Sequence, residues 1–430
     1  MKRWIFAATA ALAGVLWAPA HGAEATGAAL TAPFAPQAAP ADLPPNDKAT
    51  ALIDGDPRVV QARHALEAAR HRADMLTAGP HEWTGRASTQ RRRYRSRAQD
   101  VNEWSIGLER AVRIGGKAAL DRQLGETALR IAEARLGEAR HETARELLEL
   151  WVNWLAADRT RQLWSEQLGF AQTSFNVAGT RRRAGDASLL EQNVARADLA
   201  EVQRQLSGAA NEEAKARAKL RTRFAQLPGS AQAAALGEPA ALTLDDALWR
   251  ERILAESDDL RVAKEELQRV ELTAARASAD RLADPTVGMH ATSEAGGAER
   301  VIGLTLSIPF GGTYRHAQQR EALALVDVAR AAVERTLREL ESEIAEGLTD
   351  ARGSLERWKF AEQARTATQE NAQLTQRAYT LGEADLPGVL LARRQLLDAA
   401  LGATQARVDA LKARYRLLVD AHLIWDLHDD

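Results

Sequence analysis

The chain contains no cysteine. This excludes thiol catalysis, thiolate metal sites, disulfides and lipid attachment through an N-terminal cysteine. Neither sign of charge is in excess, 57 basic residues against 59 acidic, so the overall field argues for neither nucleic acid nor an acidic substrate. Only 5% of the 430 residues are aromatic, while alanine, leucine, arginine and glutamate dominate long stretches. That is the composition of long helices and coiled coils, not of a β-sandwich or a doubly wound α/β enzyme. Proline is missing from 81–227 and from 310–386, so nothing in those stretches forces a helix to break. H-E-x-x-H, P-loop, G-x-G-x-x-G and G-x-S-x-G motifs are all lacking, which argues against an enzyme. Nine scattered histidines (His64/His71 and His422/His428 are close pairs) and three methionines give little support for a metal site, and no cofactor is expected.

One apolar run is present. Lys2 and Arg3 precede Trp4 to Val15, and small residues follow. This describes a secretory signal peptide over 1–23, cleaved after Ala20 or after Ala23; the run is short for a spanning helix. No second run is long enough to span, so no transmembrane helix is expected after cleavage. Residues 24–50, rich in Ala and Pro, read as an extended or disordered N-terminal arm.

The remainder is duplicated. Ile106-Gly107-Leu108 with Gly115-Gly116 recurs 196 positions later as Ile302-Gly303-Leu304 with Gly311-Gly312. Gly185-Asp186-Ala187-Ser188-Leu189 returns as Gly382-Glu383-Ala384-Asp385-Leu386. The expected organisation is a first repeat over 51–228, a Pro/Gly/Ala-rich linker over 229–239, a second repeat over 240–425 and a tail over 426–430. Each repeat reads as a helix (57–77 and 244–281), two short β segments, then two long helices joined by a tight turn.

Ile302, Leu304, Leu306, Ile308 and Phe310 alternate with Gly303, Thr305, Ser307 and Pro309, the period of a strand. Trp104, Ile106, Leu108, Val112 and Ile114 form the counterpart face. The segments at 83–90 and 286–293 would complete two hairpins. Val326, Ala329, Val333, Leu337, Leu340, Ile344 and Leu348 step by three or four, a coiled-coil seam. A helix of about 60 residues from Lys117 would extend about 90–100 Å. Gly185 and Gly382 suit the left-handed geometry that reverses the chain.

Four strands cannot close a barrel, and an open sheet with one apolar face exposes its edges. Three copies would supply about 12 strands, enough for a transmembrane barrel. The pattern alone leaves open a soluble α+β protein whose hairpins pack on helices, acting as a periplasmic helical-hairpin adaptor or scaffold.

The repeated order of helix, β-hairpin, Gly-Gly bend and long helical hairpin with a Gly-Asp or Gly-Glu turn resembles the TolC-like outer-membrane efflux family. Leu242-Thr243-Leu244-Asp245-Asp246-Ala247-Leu248 is similar to its usual repeat opening. Asp284-Pro285-Thr286-Val287-Gly288 through Val301-Ile302-Gly303-Leu304-Thr305-Leu306-Ser307-Ile308-Pro309-Phe310-Gly311-Gly312 resembles the heavy-metal branch. The resemblance implies a mainly α protein with a transmembrane β part: a homotrimer with a 12-stranded barrel in the outer membrane of a Gram-negative bacterium and a periplasmic α-barrel. It further implies docking to an inner-membrane RND pump through a periplasmic adaptor (membrane fusion) protein. The cargo implied is heavy-metal cations, with drugs or other small molecules as the alternative.

On this reading the adaptor-docking tips are Arg181, Arg182, Arg183, Gly185, Asp186 and Leu189, and Tyr379, Leu381, Gly382, Glu383, Asp385 and Leu386. Leu189 and Leu386 are expected to anchor helix-tip contacts. The family often constricts this end with carboxylates, but Gly388 and Leu391 occupy those positions here, and Ala384 replaces an arginine. The gate is therefore expected to draw on Glu191, Glu383 or Asp385. Trp104, Ile106, Leu108, Ile302, Leu304, Leu306, Ile308 and Phe310 should face lipid. Arg110 falls on that face too, so either a bulge turns it inward or it lies near an interface. Trp83 and Trp104 suit interfacial girdles or a core; Trp151 and Trp154 suit a core. The basic run Arg91-Arg92-Arg93-Tyr94-Arg95 with Arg97 reads as a surface loop, where it meets lipopolysaccharide phosphates or is merely solvated.

Overall fold

The computed structural model describes residues 38–95, 99–227, 233–425 and 427. The expected signal peptide, residues 24–37 of the expected arm, Arg97, the start of the linker and most of the tail lie outside these. The element order is α1 Asn46–Asp54, α2 Pro57–Ala78, β1 Thr84–Tyr94, β2 Gln99–Ala111, α3 Lys117–Ala184, α4 Leu189–Arg223, α5 Asp246–Glu256, α6 Asp258–Ala279, β3 Thr286–Glu294, β4 Glu299–Ser307, α7 Thr313–Thr380 and α8 Leu386–Asp420.

The duplication is exact in length where it matters most: α3 and α7 each have 68 residues, and α4 and α8 each have 35. At 1.5 Å per residue the longer helices reach about 100 Å. Their buried positions favour small side chains, among them Ala171, Ala178, Ala195 and Ala372. Small seams let two helices approach closely without a broad core. α3 packs against α2, α4, α6 and α8, and α7 against α6 and α8.

Three expectations are corrected. Residues 38–50 are not an extended arm: Leu43 is buried and α1 begins at Asn46. Asp42 explains the ordering. Its carboxylate accepts hydrogen bonds from Tyr415 Oη (2.8 Å) and Gly237 N (2.8 Å), and its carbonyl accepts one from Trp151 Nε1 (2.8 Å). The helix expected over 244–281 breaks at Ser257, whose extended backbone and side chain cap α6 through Leu260 N. Among its described residues the basic run is not a loop: Arg91–Tyr94 extend β1 and Arg95 begins the turn.

A hydrophobic centre gathers α1 and the end of α8. Ile53, Leu411, Tyr415, Leu423, Ile424 and Trp425 are almost fully buried. Trp425 Nε1 donates to Pro44 O at 3.0 Å, and Thr50 Oγ1 donates to Trp425 O at 2.9 Å. Trp154 is buried as expected and meets the half-buried Trp151 edge-on at 5.4 Å.

The four strands form one antiparallel sheet in the order β1-β2-β3-β4. Its register sorts the side chains by face, because residues directly opposite each other share a side. Ala87, Ile106, Ala291 and Ile302 make one rung of the apolar face, and Leu108, Met289 and Leu304 another. Arg86, Gly107, His290 and Gly303 make a rung of the polar face.

Candidate functional site: a conduit wall and its closed tip

Among the described residues nothing packs on the apolar face. Ile302 and Leu304 are 85% and 86% exposed, and Trp104, Ile106, Leu108 and Leu306 are exposed with them. The opposite face is hydrogen-bonded to itself: Arg86 to Glu109 at 2.7 Å, Ser88 to Ser105 at 2.8 Å, Gln90 to Glu103 at 2.7 Å, and His290 Nδ1 to Thr305 Oγ1 at 3.2 Å. An apolar side turned outward over a polar, internally bonded side is the pattern of a barrel wall around water. Ile308 and Phe310 are exposed but lie beyond the end of β4 at Ser307. Pro309 lacks the N–H that would extend the ladder, so these two side chains mark the sheet's helix-proximal margin.

Arg110 shares that margin. It pairs in regular register with Val287, with no bulge, one residue before β2 ends. Its Nε donates to His81 O at 2.9 Å and its guanidinium lies 5.6 Å from the Trp83 ring centroid. The bulge alternative is therefore removed. Exposed Trp83, Phe310 and Tyr314 lie at the same helix-proximal end of the sheet.

A charged junction that the sequence reading missed fastens the sheet to the helices. Lys117, 1% exposed, donates from Nζ to Leu282 O at 2.6 Å and to Asp284 Oδ1 at 2.7 Å. Asp284 also meets His81 Nε2 at 3.1 Å and accepts from Ile114 N at 3.2 Å. Burial alone would raise the Asp284 pKa, but the bonds from Lys117, His81 and Ile114 outweigh it and hold it below the usual range. Beside it, Arg113 donates to Asp121 and to the last carbonyls of α2, and Arg276 bridges Asp121 to Asp280.

At the far end of the hairpins both reversals use left-handed glycines, Gly185 at φ +84° and Gly382 at φ +82°. Asp186 N donates to Arg181 O at 2.8 Å and Glu383 N to Ala378 O at 2.9 Å, closing each helix end. Ser188 caps α4 through Glu191 N (3.1 Å), and Asp385 caps α8 through Gly388 N (2.9 Å). Asp385 thus serves the fold of its own helix, and Gly388 supplies the amide it accepts from. Glu383 and Asp385 stay exposed and are not brought together with Glu191.

Glu191 belongs instead to a three-residue cluster joining the two hairpins. Arg181 Nη1 donates to Tyr379 Oη at 2.8 Å and to Glu191 Oε1 at 3.3 Å, Tyr379 Oη donates to Glu191 Oε1 at 3.3 Å, and the guanidinium lies over the Tyr379 ring at 5.5 Å. The hydrogen bond to Tyr379, with Glu191 nearby, raises the Arg181 pKa further above its ordinary value. Leu386 does not anchor an external contact: it is 3% exposed, packed with Ala178 and Ala195. Leu189, Leu190, Leu381 and Leu391 are the exposed apolar residues here, and Arg182, Arg183 and Asp186 are exposed around them.

No helix among the described residues is long and apolar enough to cross a membrane, and no group of three or more His, Cys, Asp or Glu side chains is placed to hold a metal among them. These elements join one four-stranded sheet with an exposed apolar face to two long helical hairpins. Residues 50–225 match the family described as outer membrane efflux protein. No curated protein sequence gives a significant match. Among solved structures, the CmeC outer membrane channel of Campylobacter jejuni superposes with a TM-score of 0.73 at 16% identity, over 89% of this chain and 87% of that one. The outer membrane protein VceC of Vibrio cholerae does so with a TM-score of 0.73 at 18% identity, over 87% and 95%. CusC, described for its transmembrane channel formation, gives 0.66 at 15% identity, over 87% and 91%. Residues 50–225 carry the signature of the outer membrane efflux protein family, and the described chain has the fold of these outer-membrane channels.

Proposed function

We propose that three copies close a 12-stranded barrel and a periplasmic α-barrel, forming the passive exit duct of a tripartite RND-type efflux system. The observation that carries this reading is the four-stranded sheet with an exposed apolar face and two unpaired edges, β1 and β4. Such a sheet is an aggregation hazard in water and a barrel segment in lipid. The exposed leucines around the two helical turns, ringed by Arg182, Arg183, Asp186 and Glu383, are the proposed adaptor contact, and the adaptor links the duct to the inner-membrane pump. The Arg181–Tyr379–Glu191 cluster is the proposed latch of the tunnel end, in place of carboxylates at Gly388 and Leu391.

For the cargo we favour heavy-metal cations over drugs. Two features support this: the second hairpin's resemblance to the heavy-metal branch, and Glu294 directly opposite Glu299 on the lumenal side. The test is fractionation with SDS electrophoresis of heated and unheated outer membranes, followed by conductance in planar bilayers. A heat-sensitive trimer whose conductance rises in Tyr379→Phe supports duct and latch together. A monomer released with periplasmic contents refutes the duct, and an unchanged conductance refutes the latch.

A further inference from the structure

The charges at the sheet's outer end are sorted by face. Arg91 and Arg93 project to the same side as Trp104, Ile106 and Leu108, because Arg91 opposes Asn102 and Arg93 opposes Asp100 in register. Arg300 joins them through the rung Thr89, Trp104, Ser293, Arg300. Arg91 and Arg93 share one carboxylate, Asp100, at 2.9 and 3.4 Å, and remain 71% and 79% exposed. Asp100 is the single acid on this face of the four strands among the described residues. The acids Glu103, Glu294 and Glu299 all lie on the lumenal side, where Arg92 pairs with Glu103 at 3.1 Å.

Depth supplies the second argument. From Arg110 at the inner margin to the Arg91 rung, β2 runs about 27 Å at ~3.4 Å per residue. A strand tilt of about 40° makes that about 20 Å along the membrane normal, close to the height of a lipid-facing band. The arginines thus sit where hydrocarbon ends and headgroups begin. Arginine suits that place, since its stem lies on apolar surface while the guanidinium reaches out, and its fork matches a phosphate's oxygens.

We propose that Arg91, Arg93 and Arg300 form a phosphate-binding rim on the outward face, which holds the phosphorylated headgroups of outer-leaflet lipid, the lipid A class. Asp100 acts as the positioning residue that keeps Arg91 and Arg93 side by side. One carboxylate for two guanidinia leaves positive charge for the ligand. The inference rests on the barrel reading above, and its test separates the two.

The full chain is purified from outer membranes in detergent, and lipid A retained per protomer is measured by mass spectrometry. Binding of added diphosphoryl and dephosphorylated lipid A is then titrated. Removing the three arginines as Arg91→Gln/Arg93→Gln/Arg300→Gln is expected to weaken diphosphoryl lipid A by about fivefold per arginine, and dephosphorylated lipid A should bind wild type no better than the variant. Arg86→Gln, on the lumenal face, is the matched control and should retain lipid as wild type does. The proposal is overturned if the triple variant retains as much as wild type, if Arg86→Gln loses as much as the triple, or if inorganic phosphate alone binds as tightly as the lipid. Failure of the barrel reading looks different: no chain in the outer-membrane fraction at all.

Discussion

Lys117→Met tests whether the charged junction holds the sheet to the long helices. The substitution keeps the length and apolar stem of the side chain and removes only the ammonium. Asp284 Oδ1 then keeps the Ile114 N–H at 3.2 Å, and Oδ2 keeps His81 at 3.1 Å, but Leu282 O loses its donor. Removing one partner of a buried pair costs about 3–5 kcal/mol. The Asp284 side chain retains 14% exposure and two other donors, so the lower end, about 3 kcal/mol, is expected. Guanidinium unfolding of the detergent-solubilised protein, followed by far-UV circular dichroism, reads this as a lower midpoint at unchanged slope. Adding Asp284→Asn should restore much of the loss, because the stranded charge is gone. The pH dependence has a defined sign. A carboxyl held below its usual value contributes stability above about pH 3.9 that is lost as pH falls through its folded pKa. The deficit of Lys117→Met should therefore shrink in acid. A variant within about 0.5 kcal/mol of wild type, or a double variant whose losses simply add, would refute the reasoning.

Leu304→Arg places a cation on the most exposed rung of the apolar face and should lose about 2–4 kcal/mol of barrel stability, seen as less heat-sensitive trimer in outer membranes. Asp385→Ala removes the α8 cap and should cost about 1 kcal/mol on thermal melting, while conductance stays as in wild type. Gly382→Val adds strain at φ +82° with no atom nearby to clash; fraying at the tip should appear as faster proteolysis there. Glu138, desolvated first and then crowded by Asp259 and Glu142, has its pKa pushed up to about 7. It favours folding below about pH 4.3, and that contribution is lost as pH rises through 7, so Glu138→Gln should flatten the melting temperature between pH 5 and 8.

Much of this protein is written in periodicity. Val326 to Leu348 and their partners announced long helices because coiled-coil seams repeat locally, and Ile302, Leu304 and Leu306 announced a two-sided strand for the same reason. What stayed hidden depends on pairs distant in sequence. Lys117 and Asp284 are ordinary charges until the fold places them at 2.7 Å. The sequence places Tyr379 at the docking tip and Glu191 at the gate, yet only the packing of one hairpin on the other shows that they meet. Arg91 and Arg93 looked like a loop because strand preference is weak in a run of arginines; the register with β2 overrides it. Leu386 reads as a contact because leucine at a helix start can point either way, and a pocket of Ala178 and Ala195 with Phe175, Tyr379 and Leu390 draws it inward.

The bond between Asp42 and Tyr415 joins residues 373 positions apart. Trp425 reaches back to Pro44 over 381. Trp151 and Gly237 reach Asp42 earlier in synthesis, but its bond from Tyr415 and the Pro44–Trp425 bond must wait until nearly every residue has followed. Both hairpins can zip up early from their local seams, while the waist that ties them closes last. On the export reading proposed above, the strands Trp104–Leu108 and Ile302–Leu306 meet water during that interval, and the topology would call for an escort that keeps them apart until the waist closes.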